Sequence, residues 1–205
     1  MMGIFHTVES DGVLANLVGN GDLILIRNLE TAFEEEMRNC TVYKAYAARA
    51  DEEGYHGLAS LFRATARAEH IHASNHARLL RQMGGSTLVD IPEPRLKSTL
   101  DNLKSALVDQ KFEVNSLYPT FFATAASLFD STAVRSFQRA LEADKSHARL
   151  FSDAIAHLSA DGKSRWVYTE HDFYVCALCG YITEGLDAEN CPACNYLSEK
   201  FEKIR

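Results

Sequence analysis

From Asp22 to Leu158 apolar residues recur in steps of three and four, the period of helices with one buried face. The first stripe runs Leu29, Ala32/Phe33, Glu36, Cys40, Tyr43, Ala47 and Ala50, and Gly54 closes it. A second runs Leu58, Leu61/Phe62, Thr65, Glu69, His72, His76, Leu79 and Met83, ending at Gly84-Gly85. The third reads Leu96, Leu100, Leu103, Leu107, Gln110, Glu113/Val114, Leu117 and Phe121; the fourth reads Phe137, Leu141, Asp144, His147, Phe151, Ile155 and Leu158. The segment to Pro92 and Pro94 lacks the period and reads as a crossover. Residues 1 to about 20 show no pattern and form an extension of unassigned role.

The helical stretch also repeats itself. With an offset of 75, Ala50, Phe62, Ala68, His72 and Ala73 fall on Ala125, Phe137, Ala143, His147 and Ala148, and Tyr43 falls on Tyr118. Two helical hairpins with a longer connection between them predict a mainly α architecture, a ferritin-like four-helix bundle over residues 21–160. Ser159 to Arg165 is short and polar and reads as a linker. From Trp166 to Arg205 aromatics, turn residues and cysteines replace the helical period, so this part is a small separate module that needs a staple to fold.

Composition narrows the function. The net charge of -7 argues against nucleic acid or an anionic membrane as main partner. No run approaches the roughly 20 apolar residues of a membrane span, and the start lacks the order of a secretory signal. Paired Cys-x-x-Cys motifs in such a chain point to metal rather than disulfides, and the expected location is the cytoplasm.

Cys176-Ala-Leu-Cys179-Gly180-Tyr181 and Cys191-Pro-Ala-Cys194-Asn195-Tyr196 are two equivalent knuckles. Gly180 and Asn195 hold the same place, and both residue types tolerate the left-handed backbone that a metal knuckle needs. Four thiolates suit iron or zinc, which share a tetrahedral geometry. A nucleic-acid-binding zinc knuckle is disfavoured, because from Trp166 onward seven acids face three bases.

Within the bundle, Glu36, Glu69, His72, Glu113, Asp144 and His147 stand where leucines belong. Burying four carboxylates together is costly unless cations compensate, and two divalent ions carry four positive charges. Glu69-x-x-His72 falls on Asp144-x-x-His147 in the repeat, with a glutamate on each remaining helix. Oxygen and imidazole ligands at this spacing are what carboxylate-bridged di-iron and di-manganese bundles use. His76 lies a turn further on and reads as a satisfied helix-end histidine, and Cys40 as a small buried hydrophobe.

With these residues in view the chain resembles the rubrerythrin family from Leu23 to Arg205. Ala32-Phe-Glu-Glu-Glu36 with Tyr43, Glu53-Gly-Tyr55 leading to Glu69-x-x-His72, Phe112-Glu113 with Leu117-Tyr118-Pro119, and Phe173-Tyr-Val-Cys176 through Cys194 carry the match. The resemblance implies a di-iron site on Glu36, Glu69, His72, Glu113, Asp144 and His147, with Glu69 bridging and Glu113 alternating with His72. It implies that Tyr43 and Tyr118 donate hydrogen bonds to ligand carboxylates, and that Cys176, Cys179, Cys191 and Cys194 hold a third iron in a rubredoxin-like domain, zinc being possible in either site. Pro119 then sits where the third helix loses a hydrogen bond beside the site. Two positions depart from the family pattern: Gln110 stands where a glutamate is usual and is a neutral, weaker ligand, and Asp144 is one methylene shorter than glutamate.

The function so implied is a cytoplasmic peroxidase that reduces hydrogen peroxide to water in oxidative-stress defence. Electrons come from an unidentified donor protein or reductase through the four-cysteine iron. A head-to-tail homodimer is implied as well, one subunit's tail reaching its partner's bundle. Ferroxidation and iron handling without peroxide turnover is the alternative, favoured by a weak ligand at Gln110.

Overall fold

The computed structural model describes residues 10–159 and 166–205, with side chains described for 19–158 and 166–205. Five α-helices come first: α1 (Ser10–Glu52), α2 (His56–Met83), α3 (Thr99–Phe112), α4 (Tyr118–Ser127) and α5 (Ser131–Ser159). A π-helical turn, Glu113–Leu117, joins α3 to α4, so the two act as one interrupted helix and the bundle has four. The tail holds strands β1 (Phe173–Cys176), β2 (Ile182–Thr183) and β3 (Phe201–Ile204) in the antiparallel order β2-β1-β3.

Local chemistry sets the helix ends. Glu52 ends α1, and Gly54 turns the chain in the left-handed region at φ 80°. Gly84 caps α2 in the same conformation, its N–H donating to the Leu80 carbonyl. Ser98 caps α3 by accepting from the Asp101 N–H, and the Glu53 carboxylate accepts from the Thr99 N–H at 2.8 Å. Leu96, counted in the third stripe, therefore lies outside the helix.

The first helix begins earlier than expected. It is helical from Ser10, whereas the period was read only from Asp22. Val13, Leu14, Leu17 and Val18 do keep the spacing that leads to the buried Leu25 and Leu29, but Gly19 and Gly21 interrupt it. Residues 1–9 of the extension, and 160–165 of the linker, lie outside the described residues.

Two apolar clusters fill the bundle. One, around Leu25, Leu29, Phe33, Leu80, Phe121 and Phe137, lies toward the end where α2 meets the crossover. The other, around Tyr43, Leu58, Phe62 and Phe151, lies toward the α1–α2 turn and includes Trp166, Phe173, Val175 and Ile182 of the tail. The ionisable residues fall between them, sealed from water on both sides. The tail thus shares a core with the bundle of its own chain. Polar ties reinforce the packing: Arg67 forks onto Glu202 at 2.6 and 2.7 Å, the His171 N–H donates to Ser60, and the Ile182 N–H donates to Ser146.

Candidate metal centre

The α1, α2 and α5 stripes and the α3–π–α4 segment bring Glu36, Glu69, His72, Gln110, Glu113, Asp144 and His147 into one buried layer. Ligand atoms of Glu36, His72 and Asp144 lie within 4.8 Å of one another, as do those of Glu69, Asp144 and His147. Glu69 touches both histidines, Oε2 at 3.1 Å from His72 Nδ1 and Oε1 at 3.6 Å from His147 Nδ1. Asp144 Oδ1 does the same at 3.5 and 3.3 Å. These two carboxylates, mates in the repeat, therefore occupy bridging positions between two half-sites.

The outer position of each half-site shows the asymmetry. Glu36 Oε1 lies 3.2 Å from His72 Nδ1, and Gln110 Oε1 lies 3.1 Å from His147 Nδ1. Gln110 is thus the spatial mate of Glu36, although it is 74 positions on while the tyrosines are 75 apart. The π turn between Gln110 and Tyr118 contains the extra residue. The Tyr118 N–H donates to the Glu113 carbonyl across this wide turn, which also makes room for the ring of Pro119.

Two residues sit differently from the arrangement the resemblance implies. Tyr118 donates to Glu36 Oε1, but the Tyr43 hydroxyl lies 3.5 Å from the Gln110 amide nitrogen and touches no ligand carboxylate. Its mate position holds an amide, so the carboxylate it would serve is missing. Glu113 stands outside both three-residue groups, held by amide donors from Asn39 at 2.7 Å and Gln110 at 2.7 Å. The Gln110 amide also donates to Glu69 at 2.9 Å.

Electrostatics show what the layer lacks. Glu36 Oε2 and Asp144 Oδ2 are buried with no hydrogen-bond partner, and Glu69 Oε2 and Asp144 Oδ1 face only the histidine Nδ1 atoms, the condition that bound cations relieve. Burial pushes the Glu36, Glu113 and Asp144 carboxyls up. Burial also opposes charge on the histidines, but Glu36 and Asp144 hold His72 well above its ordinary range. Asp144 and Glu69 likewise hold His147 at about 9. Glu69 resists its own burial because the two histidines keep it ionised. Without metal the layer neutralises itself with protons.

Each histidine is oriented from behind by the tail. His72 Nε2 lies 2.8 Å from the Cys179 carbonyl and His147 Nε2 lies 2.9 Å from the Gly180 carbonyl. A carbonyl only accepts, so both Nε2 atoms carry hydrogen and both Nδ1 atoms face the carboxylates as ligands. Sequence periodicity gave no sign of this contact.

The four cysteine sulfurs converge, Cys176 on Cys194 at 3.7 Å and Cys179 on Cys191 at 3.6 Å, with no disulfide. A tetrahedral site with metal–sulfur bonds of about 2.3 Å has edges of roughly 3.8 Å. Both knuckles fold alike: the Gly180 and Asn195 N–H groups donate to the Cys176 and Cys191 carbonyls, and both residues have positive φ, 77° and 61°.

His76, read as a satisfied histidine, is fully buried and bonded on both sides. Its Nε2 lies 3.2 Å from the Tyr118 hydroxyl and its Nδ1 3.0 Å from the Ser136 hydroxyl. Burial and the nearby His72 push it down to about 3, so it is neutral.

Comparison with known proteins agrees with this architecture. The family model described as Rubrerythrin matches residues 27–155, and the one described as Rubrerythrin, rubredoxin-like domain matches residues 174–202. Nigerythrin of Nitratidesulfovibrio vulgaris is 34% identical over 82% of this chain and 81% of its own length. Rubrerythrin-2 of Clostridium acetobutylicum is 31% identical over 85% of this chain and 93% of its own. A solved structure of nigerythrin in its fully reduced, all-ferrous state superposes with a TM-score of 0.77 at 32% identity, covering 87% of this chain and 86% of that one.

Proposed function

The chain belongs to the rubrerythrin family, its buried carboxylate–histidine layer a di-iron site and its four cysteines a rubredoxin-like iron site, and we propose that it reduces hydrogen peroxide to water. The observation that carries this reading is the pair of hydrogen bonds from His72 and His147 to the carbonyls of Cys179 and Gly180. They join a cysteine ligand of one site to histidine ligands of the other through a single peptide unit and one hydrogen bond. An electron relay between two metal sites needs such a short covalent and hydrogen-bonded path; storage of iron does not.

Glu36, Glu69, His72, Asp144 and His147 hold the metal pair, with the Gln110 amide oxygen facing the His147 half-site. Iron bound there would supply two electrons at one place for cleaving the oxygen–oxygen bond, and iron held by Cys176, Cys179, Cys191 and Cys194 would replenish them. The apolar clusters on either side exclude water from the layer.

Reduction of one peroxide to two waters also consumes two protons. The Ser136 hydroxyl donates to His76 Nδ1, His76 Nε2–H donates to the Tyr118 oxygen, and Tyr118 donates to Glu36. This row leads from half-buried Ser136 to a metal ligand and is a path for those protons.

The test is peroxide consumption by iron-loaded protein supplied with a chemical reductant. Glu69→Ala is expected to abolish turnover. Cys176→Ser is expected to slow it at least about tenfold, a loss of about 1.4 kcal/mol or more in barrier terms. Turnover intact in both variants would sink the proposal.

A further inference from the structure

We propose that the face formed by Arg78, Arg135 and Arg139 beside the second cysteine knuckle docks a small acidic protein that carries one electron. The inference rests on the peroxidase reading only in requiring that electrons enter through the four-cysteine site.

Cys176, Cys179 and Cys191 are buried, whereas Cys194 is partly exposed, so electrons reach this site from outside most directly through Cys194. A shallow groove beside it is lined by Arg135 and Arg139 of α5 with Pro192, Ala193, Cys194 and Asn195. An adjoining hollow adds Arg78 of α2 next to the same two arginines.

None of the three guanidinium groups has a carboxylate partner among the described residues: Arg78 reaches only the Asn75 side chain and Arg135 only Thr132. Further along α5 the cations are neutralised, Lys145 by Glu142 and Arg149 by Asp153. The chain as a whole carries a net charge of -7, so three arginines without carboxylate partners, two of them in the groove with the partly exposed Cys194, are a local reversal of sign. Such a patch steers an acidic partner and turns it toward the ligand. Pro192 and Ala193 supply a small apolar centre beside Arg135 and Arg139, the composition of a transient interface.

In the docked complex the reduced carrier gives up one electron and the ferric iron of the four-sulfur site takes it. No bond or proton is exchanged.

The experiment uses full-length, iron-loaded protein and a reduced plant-type ferredoxin of net negative charge. Bleaching of the ferric four-sulfur absorption is followed by rapid mixing, and complex formation with the oxidised carrier by calorimetry. The parent rate is expected to fall as salt rises. R135E/R139E is expected to lower the second-order rate constant at low salt at least about tenfold and to weaken binding in parallel, with R78E acting in the same direction. R95E/K97E on the crossover makes the same change in net charge and is expected to alter neither readout beyond about twofold.

Equal rates in parent and R135E/R139E, or an equal loss in R95E/K97E, would overturn the docking site. Dithionite bleaches the site without docking, and it is expected to bleach it completely in all variants, which certifies the metal site. A parent protein that fails to consume peroxide even with dithionite would sink the peroxidase reading while leaving the ferredoxin comparison decisive for this one.

Discussion

Gln110 carries an acceptor and a donor on one side chain, and the two ends serve different neighbours. Its oxygen faces His147 Nδ1, while its amide donates to Glu69 and Glu113. Gln110→Glu replaces that donor with another buried anion. Without metal the variant is expected to be less stable by about 1–3 kcal/mol, read as a lower melting temperature. With iron it is expected to retain metal longer against a chelator, because the His147 half-site gains a charged ligand. Protons give a second check. The Glu36, Glu113 and Asp144 carboxyls and both histidines are pushed up, so near neutral pH the metal-free layer holds protons that iron must displace. Iron loading in weak buffer is expected to acidify the solution, and retention to fall as pH drops. Loading without proton release would contradict the self-neutralised layer. His76 has the opposite sign. Its folded pKa of about 3 lies below the unfolded value, so its contribution to stability is lost as pH falls from about 6.5 toward 3.

At the scale of elements, helices were legible where one face meets a core throughout. The α2 stripe ends at the glycines that cap it, since burial imposes the period and Gly84 supplies the left-handed turn. The start of α1 was obscured by Gly19 and Gly21. The π turn was hidden because one added residue shifts the register without breaking the apolar spacing; its trace is that Gln110 lies 74 positions after Glu36 while Tyr118 lies 75 after Tyr43. That turn carries Glu113, whose carboxylate accepts from Asn39 and Gln110. The ionisable residues of the site were readable, being anomalies in apolar stripes. The carbonyls behind His72 and His147 were not, because a backbone atom of a distant element leaves no mark in residue type.

Across the whole molecule the tail is the lid of the metal layer as well as a carrier of metal. Trp166, Phe173, Val175 and Ile182 bury into the bundle core, and the first knuckle lands on both histidines. Gly180 makes that landing possible. A Cβ there would lie 2.6 Å from His72 Nε2 and 3.1 Å from the Ala68 carbonyl oxygen, on a backbone at φ 77°. Gly180→Ala must therefore push the knuckle off the bundle while leaving every proposed metal ligand in the sequence. The most direct measurement is a single turnover: fully reduced, iron-loaded Gly180→Ala and parent protein are each mixed with peroxide, and the ferric four-sulfur absorption is followed as it appears. With metal content equal in both, the parent is expected to oxidise its four-sulfur site within the turnover and the variant at least about tenfold more slowly. Equal rates would mean that electrons do not pass through the contact between the knuckle and the histidines.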